Sequence, residues 1–392
     1  MRLATSALAL VFGVCLAVPT IGAADAEKTQ LWQPSAKLPT SEEARSVENV
    51  RFEVIKRHTP SRDGYRWLHG VALAWHEGRL FATFGLNTGG ENTATEIAAG
   101  RVSSDGGRSW GELFIIDDGD ENLAVSHGVL LSHEGKLWAF QGAFYDRRRR
   151  LHTRAYVLQE DTGQWQARGV VARQGFWPVA GPYRMEKGNF IMTGIRVGGR
   201  YGGPENPPAV AINDGENLTD WDIEVIPKPE DMRVWGEAAL IPHGQHIACI
   251  SRCRGEKPVA MVSRSEDYGR TWSKLHEGNL PMTASKPWAG TLTTGQRYLI
   301  CTTTADCGNA RHPLTIALTP PDKKQFNRVL KIRSAVHDGP GESHPQARLS
   351  YPYAVQHEDK LYVGYSNDGG RGGNHNSAEL AVIPLKELQK RR

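Results

Sequence analysis

Short apolar strands introduced by a turn recur along this chain at a near-constant interval. Six copies stand out: HEGRLFATF (76–84), HEGKLWAF (133–140), KGNFIMTG (187–194), HGQHIACIS (243–251), TGQRYLICTT (294–303) and EDKLYVGYS (358–366). Their turn positions are 78, 135, 188, 244, 295 and 359, a mean step of about 56 residues. Alternation with period two after Gly or Asp is the signature of a half-buried antiparallel strand, not of a helix.

A second marker runs in phase. Ser103-Ser104-Asp105-Gly106-Gly107-Arg108-Ser109-Trp110 and Ser265-Glu266-Asp267-Tyr268-Gly269-Arg270-Thr271-Trp272 both read S-x-D-x-G-x-[ST]-W. Ser and Asp side chains can bond turn amides, Gly can take a positive φ, and Trp can pack beneath. Weaker copies end at Trp165, Trp221 and Phe326. An isolated unit of this size cannot cover both faces of its sheet. The pattern therefore predicts an all-β, six-bladed β-propeller of four-stranded antiparallel blades over 48–388. The sixth copy is one strand short. Segment 48–57, ENVRFEVIKR, is expected to supply it by pairing with the strand from Glu379 to Leu385. Residues 27–47 read as an exposed lead-in.

Composition narrows the class. The chain has 392 residues, 39% hydrophobic and 23% charged, with 11 Trp, 11 Tyr and 10 Phe, which excludes disorder as the dominant state. With 42 Gly and 22 Pro, turns are frequent and a helical bundle is excluded. The formal charge of +4 comes without a basic, aromatic-interleaved stripe, so nucleic acid is not an expected partner. Residues 1–26 carry Arg2, an apolar run from Leu3 to Pro19, and Ala24-Asp25-Ala26. They read as a secretory signal peptide, which predicts a periplasmic or secreted protein with no membrane span after cleavage. Four cysteines follow: Cys249, Cys253, Cys301 and Cys307. In an oxidising compartment a Cys253–Cys307 bridge between blades four and five is the favoured pairing. No metal site and no cofactor are expected, since no His lies at ligand spacing beside the cysteines.

In a propeller the innermost strand of each blade precedes the turn marker and opens onto the central funnel. The residues at those positions are Arg66 and His69, His127, Trp177 and Tyr183, Glu237, Lys286 and Trp288, and Tyr351. That set is polar and aromatic where a purely structural ring would place small or apolar side chains.

The S-x-D-x-G-x-[ST]-W boxes at this blade spacing resemble those of the sialidase (neuraminidase) superfamily, the Asp-box or BNR-repeat six-bladed propellers. The resemblance implies an exported exo-glycosidase that releases a terminal anionic sugar, such as sialic acid. In that family a Tyr activated by a Glu attacks the anomeric carbon, because a carboxylate nucleophile would be repelled by the substrate's own carboxylate. Arginines hold that carboxylate with paired, always-charged donors. Carried over residue by residue, Tyr351 in Ser350-Tyr351-Pro352-Tyr353 matches the nucleophile, ahead of Tyr353. Glu237, opening EAALIPHGQHIACISR, matches its base. Arg66 in Tyr65-Arg66-Trp67-Leu68, Arg252 (with Arg254 as alternative) and Arg311 in RHPLTIALTPPD match the carboxylate clamp. The family's acid is an Asp on the loop before the first box. Here that loop, Gly89 to Glu96, has none, so Glu91, or else Glu96, takes the place.

Three histidines lie outside that kit: His69, His127 and His344. They are similar to those of exported propellers that cleave rhamnose linked to glucuronate (glycoside hydrolase family 145 and related lyases), which implies a His-dependent glycosidase or lyase as the alternative. A non-catalytic glycan-binding propeller is the second alternative. The run Arg147 to Arg150 reads as a solvated turn, or else as a basic rim that touches glycan.

Overall fold

The computed structural model describes residues 30–198, 206–254 and 257–390. Residues 1–26, read from the sequence as a signal peptide, lie outside the described residues. No helix among the described residues is long and apolar enough to cross a membrane.

Six four-stranded antiparallel sheets surround a common axis. Strand β1 (Arg51–Lys56) comes first, then blade one, β2 (Trp67–His76), β3 (Arg79–Asn87), β4 (Glu96–Ser103) and β5 (Phe114–Asp117). Blade two is β6 (Leu123–His133), β7 (Lys136–Tyr145), β8 (Arg149–Gln159) and β9 (Gln164–Ala172). Blade three is β10 (Phe176–Arg184), β11 (Phe190–Arg196), β12 (Pro208–Asn213) and β13 (Asp222–Val225). Blade four is β14 (Val234–His243), β15 (His246–Cys253), β16 (Val259–Ser265) and β17 (His276–Pro281). Blade five is β18 (Trp288–Thr291), β19 (Arg297–Cys301), β20 (Leu314–Leu318) and β21 (Arg328–Arg333). Blade six has β22 (Leu349–His357), β23 (Lys360–Asn367) and β24 (Ser377–Pro384).

The sixth blade borrows its outer strand from the start of the chain. β1 pairs antiparallel with β24, Phe52 opposite Ala381 and Val54 opposite Glu379. The expected closure is thus formed. It removes the open edge that β24 would otherwise present to other chains. Inner strands β2, β6, β10, β14, β18 and β22 contact one another in sequence, and β22 returns to β2. Their blades bury one another's faces, with Phe84, Phe140, Phe176 and Phe190 almost fully enclosed. Each such ring contributes roughly 1.5–3 kcal/mol by leaving water.

The two boxes share one geometry. Ser103 Oγ accepts from Gly107 N at 2.8 Å, and Asp105 accepts from Ser109 N at 2.9 Å and Ser109 Oγ at 2.6 Å. Ser265 and Asp267 repeat this with Gly269 and Thr271. Gly107 and Gly269 have φ of +82° and +89°. A Cβ there would meet Leu380 of blade six at 2.4 Å or Ile191 of blade three at 2.5 Å. Each box therefore wedges against the preceding blade, and only Gly fits.

Two expectations need correction. Residues 30–47 are not an exposed lead-in: Leu31, Trp32, Ala44 and Val47 are buried, and Trp32 bridges to Phe326 beside blade five. The apolar Leu-Trp pair outweighs the polar composition around it, and Asn279 clamps the Trp32 backbone from both sides. The Cys253–Cys307 bridge is not formed; all four cysteines are buried free thiols. Burial pushes the Cys301 and Cys307 thiols up to about 12, which disfavours the thiolate needed for disulfide exchange.

Candidate active site

Inner strands deliver the central side chains through irregularities at one level of the ring. Pairing shifts register between His69 and Ala72, Val125 and Gly128, Pro178 and Ala180, Val234 and Ala238, and Ser350 and Tyr353. Extra residues in a strand re-aim side chains that regular pleating would send into the sheet faces. His69, His127, Glu237 and Tyr351 all lie at or inside these bulges. Tyr351 itself has φ of +55°, a left-handed conformation that a non-Gly residue holds only when its surroundings impose it.

Tyr351 Oη donates a hydrogen bond to Glu237 Oε1, which also accepts from Trp235 Nε1 at 3.1 Å. Arg252 Nη1 lies 2.5 Å from Glu237 Oε2 and 3.4 Å from the Tyr351 hydroxyl. The Glu237 side chain is 5% exposed and Arg252 13%, so the charges are desolvated together. Among the described residues, the buried Arg252 Nε has no partner. Arg311 stands 5.9 Å from the Tyr351 ring centroid and is steadied by the Ala284 carbonyl at 3.0 Å. Burial raises the Tyr351 phenol well above its ordinary value and the Glu237 charge adds to this, while Arg252 and Arg311 oppose it.

Beneath the phenol, Lys286 Nζ donates to the carbonyls of Pro352 at 3.0 Å and Val179 at 3.2 Å. It ties blades three and six to blade five. Burial depresses its ammonium to about 7, against the pull of Glu237. The His69 ring centroid lies 3.8 Å from that of Tyr351 and 5.5 Å from that of His127. Burial above all holds both imidazoles neutral at pH 7: His69 falls well below its usual value and His127 to about 3. Gly70 makes room for this, since a Cβ there would lie 2.1 Å from the His127 ring.

On the opposite wall, Glu91 meets Arg148 Nη2 at 3.5 Å and Asn374 Nδ2 at 3.3 Å. Burial raises its carboxyl, Arg148 opposes this, and the nearby Glu237 charge adds to it. Its side chain remains 36% exposed. Glu96 instead lies buried under the loop, accepting from the Asn92 amide, and burial lifts it to about 7. Of the two carboxyls, Glu91 is the one open to the centre.

The ring thus brings together Tyr351, Glu237, Arg252, Arg311, His69 and His127, with Glu91 facing them. It does not bring in Arg66 or His344. Arg66 is exposed; its amide bonds Asn87 and its carbonyl faces His58. The reason is register: Trp67 opens β2, and the bulge that turns a side chain inward begins at His69. His344 sits exposed on the loop before β22, over Gly370. The alternatives Tyr353 and Arg254 also point elsewhere, Tyr353 to the Gly181 carbonyl and Arg254 to the face of Trp235. Sequence reasoning missed Arg148 as a central residue. Within a run read as a solvated turn, it alone is buried, between the rings of Trp177 and Trp235 at 5.4 and 5.6 Å. Its signal was the pair of Trp residues on two inner strands, flat surfaces on which a guanidinium stacks. Among the described residues, the potential metal-ligand cluster, His76, Glu77 and Glu160, lies at the far end of β2, and Arg79 already engages Glu160.

A phenol bonded to a carboxylate beside two guanidinium groups can receive an anion and transfer the phenolic proton within one contact. Comparison with known proteins agrees with the architecture. The BNR repeat-like domain family matches residues 78–363. No curated protein sequence matches the chain. Among solved structures, the NanB sialidase of Streptococcus pneumoniae superposes with a TM-score of 0.64 at 12% identity, covering 86% of this chain and 71% of that one. A Trypanosoma rangeli sialidase mutant displaying trans-sialidase activity gives 0.63 at 12%, covering 88% and 60%. A Dyadobacter fermentans protein of unknown function gives 0.65 at 14%, covering 86% and 100%. At these identities the likeness is one of fold, whereas the family match spans most of the chain: this protein belongs to the BNR repeat-like domain family, built on a sialidase-type six-bladed propeller.

Proposed function

We propose that this protein is a sialidase-like exo-glycosidase that releases a terminal anionic sugar from glycans, with Tyr351 as nucleophile and Glu237 as its base. The observation that carries this reading is the Tyr351–Glu237 hydrogen bond, flanked by Arg252 and Arg311. The sugar's carboxylate is received by the guanidinium groups of Arg311 and Arg252. The Tyr351 oxygen attacks the anomeric carbon as its proton passes to Glu237, and Glu91 protonates the departing glycosidic oxygen. Water activated by Glu91 then attacks the glycosyl–tyrosine bond, and Glu237 returns its proton to the phenol. Two displacements at one carbon retain the anomeric configuration. His69 stands beside Tyr351 where Arg66 was expected to complete the clamp. A neutral imidazole offers one hydrogen-bond donor and no charge. Export to the periplasm or medium is part of the proposal and rests on residues 1–26.

A second reading has one observation in its favour: His69 and His127 pack edge to face beside Tyr351. It is a His-dependent glycosidase or lyase acting on rhamnose linked to glucuronate. One experiment separates the readings. Purified protein and the Tyr351→Phe variant are incubated with a fluorogenic sialoside and with rhamnosyl-glucuronate oligosaccharides. Sialoside turnover lost in Tyr351→Phe supports the first reading. Turnover of the uronate substrates alone, abolished by His69→Ala, replaces it with the second. Glycan binding with no turnover of either leaves a binding propeller.

A further inference from the structure

Beside the centre, between blades two and three, lies an open groove of about 710 Å3, within the roughly 300–1,000 Å3 typical of ligand sites. Its lining carries Arg148, Arg149, Arg150, Arg173 and Arg196, together with His152. Among the described residues no carboxylate pairs with Arg149, Arg150, Arg173 or Arg196. Like charges gathered with a single carboxylate partner among the described residues, Glu91 on Arg148, repel one another, and an acidic ligand would relieve that. The turn that presents them is strained: Asp146, Arg147, Arg148 and Arg150 have φ of +37°, +54°, +73° and +49°. Arg150 is held over the Tyr145 ring at 3.9 Å, and the Arg196 guanidinium bonds the Val197 carbonyl at 3.0 Å, so both are positioned instead of waving in solvent. The groove adjoins the centre at Arg148, which lines it and also meets Glu91 and stacks on Trp235, the residue bonded to Glu237.

We propose that this groove is a leaving-side subsite for an acidic glycan: it receives carboxylate or sulfate groups on the sugar units beyond the residue that is cleaved. This rests on the glycosidase reading above and names its substrate class, a polyanionic chain. Geometry favours the leaving side, because Arg148, which lines the groove, also bonds Glu91, the group assigned to protonate the departing oxygen. Guanidinium groups on two strands and a turn offer bidentate donors to successive acid groups along a chain.

The test measures binding on Tyr351→Phe protein, so that nothing is turned over. Oligogalacturonate and heparin-derived tetrasaccharides serve as carboxylate and sulfate probes, and cellotetraose as the neutral one, by titration calorimetry at two salt concentrations. The expected result is binding of one or both acidic probes, weakened by salt and by at least about fivefold in Arg150→Ala/Arg173→Ala. The same loss of charge in Lys323→Ala/Lys324→Ala, on blade five, should leave binding in place. Which acidic probe binds separates carboxylate from sulfate. Equal affinity in wild-type and double-arginine backgrounds, an equal loss in the lysine control, or cellotetraose binding as tightly as the acids would overturn the proposal. Sialoside turnover is measured separately. Turnover without arginine-dependent binding removes the subsite alone, and arginine-dependent binding without turnover removes the glycosidase reading alone.

Discussion

The Tyr351 hydroxyl donates to the Glu237 carboxylate across 114 residues of sequence and from two blades apart in the ring, blade six to blade four. No local preference brings these residues together; closure of the propeller does. The carboxylate is also the counter-charge of Arg252, so one group serves both chemistry and stability. The two roles separate by mutation. Tyr351→Phe should abolish sialoside turnover and leave the thermal midpoint nearly unchanged, since Trp235 and Arg252 still satisfy Glu237. Glu237→Gln should also abolish turnover and destabilise by about 3 kcal/mol, because it strands a buried guanidinium. Chemical denaturation of both variants beside activity assays measures this. Equal stability losses would contradict the assignment.

Glu91 should behave as a general acid whose carboxyl Arg148 holds in check. Turnover needs Glu91 protonated and falls as pH rises through its titration. Replacing Arg148 with Met removes an opposing charge and raises the Glu91 carboxyl further. The alkaline limb of kcat/KM should therefore move to higher pH. Glu91→Gln should cost about a hundredfold or more on substrates with poor leaving groups and far less on an activated aryl sialoside, which departs without a proton. A uniform loss on both substrates would remove Glu91 from this role.

Glu96 makes a stability prediction. Its folded carboxyl titrates at about 7, against 4.5 when unrestrained. A raised carboxyl means the folded state holds the proton more tightly than the unfolded chain does. Its contribution is fully favourable below about pH 4.5 and is lost as pH rises to 7, a difference on the order of 3 kcal/mol. Glu96→Gln mimics the protonated form. The variant should match wild type near pH 4.5 and exceed it in unfolding free energy at pH 8. A variant less stable at pH 8 would show that the charged form is the one the loop needs.

Gly70 is the residue that admits His127 to the centre. It has φ of +70°, and a Cβ would lie 2.1 Å from the imidazole. Gly70→Ala should destabilise the protein by about 2 kcal/mol through combined backbone strain and overpacking, and should disturb the edge-to-face cluster of His69, His127 and Tyr351. Calorimetry reads the first effect. A perturbed His127 ring resonance, against an unperturbed His344, reads the second.

Much of the architecture was legible in the residue pattern because it is periodic and local. The turn-strand copies, the two boxes anchored on Asp105 and Asp267, and the missing outer strand each follow from spacing and from what a turn amide or an uncovered sheet requires. Six blades and the pairing of β1 with β24 needed no more than that. Tyr351 and Glu237 were also reachable, since their positions at inner-strand starts are encoded in sequence, and Arg252 and Arg311 were reachable through the resemblance that the boxes carry. What the tertiary structure decided was orientation. Arg66 and His69 are three residues apart on one approach to the ring, and only the bulge at His69 determined which of them turns inward. Arg148 looked like its neighbours in a charged run until Trp177 and Trp235, from two other blades, enclosed it. Trp32 lay in a polar lead-in until Phe326 and Asn279 gave it a place to bury. In each case the deciding partner is distant in sequence, and a side chain's environment in a closed ring is set by residues that its own segment does not contain.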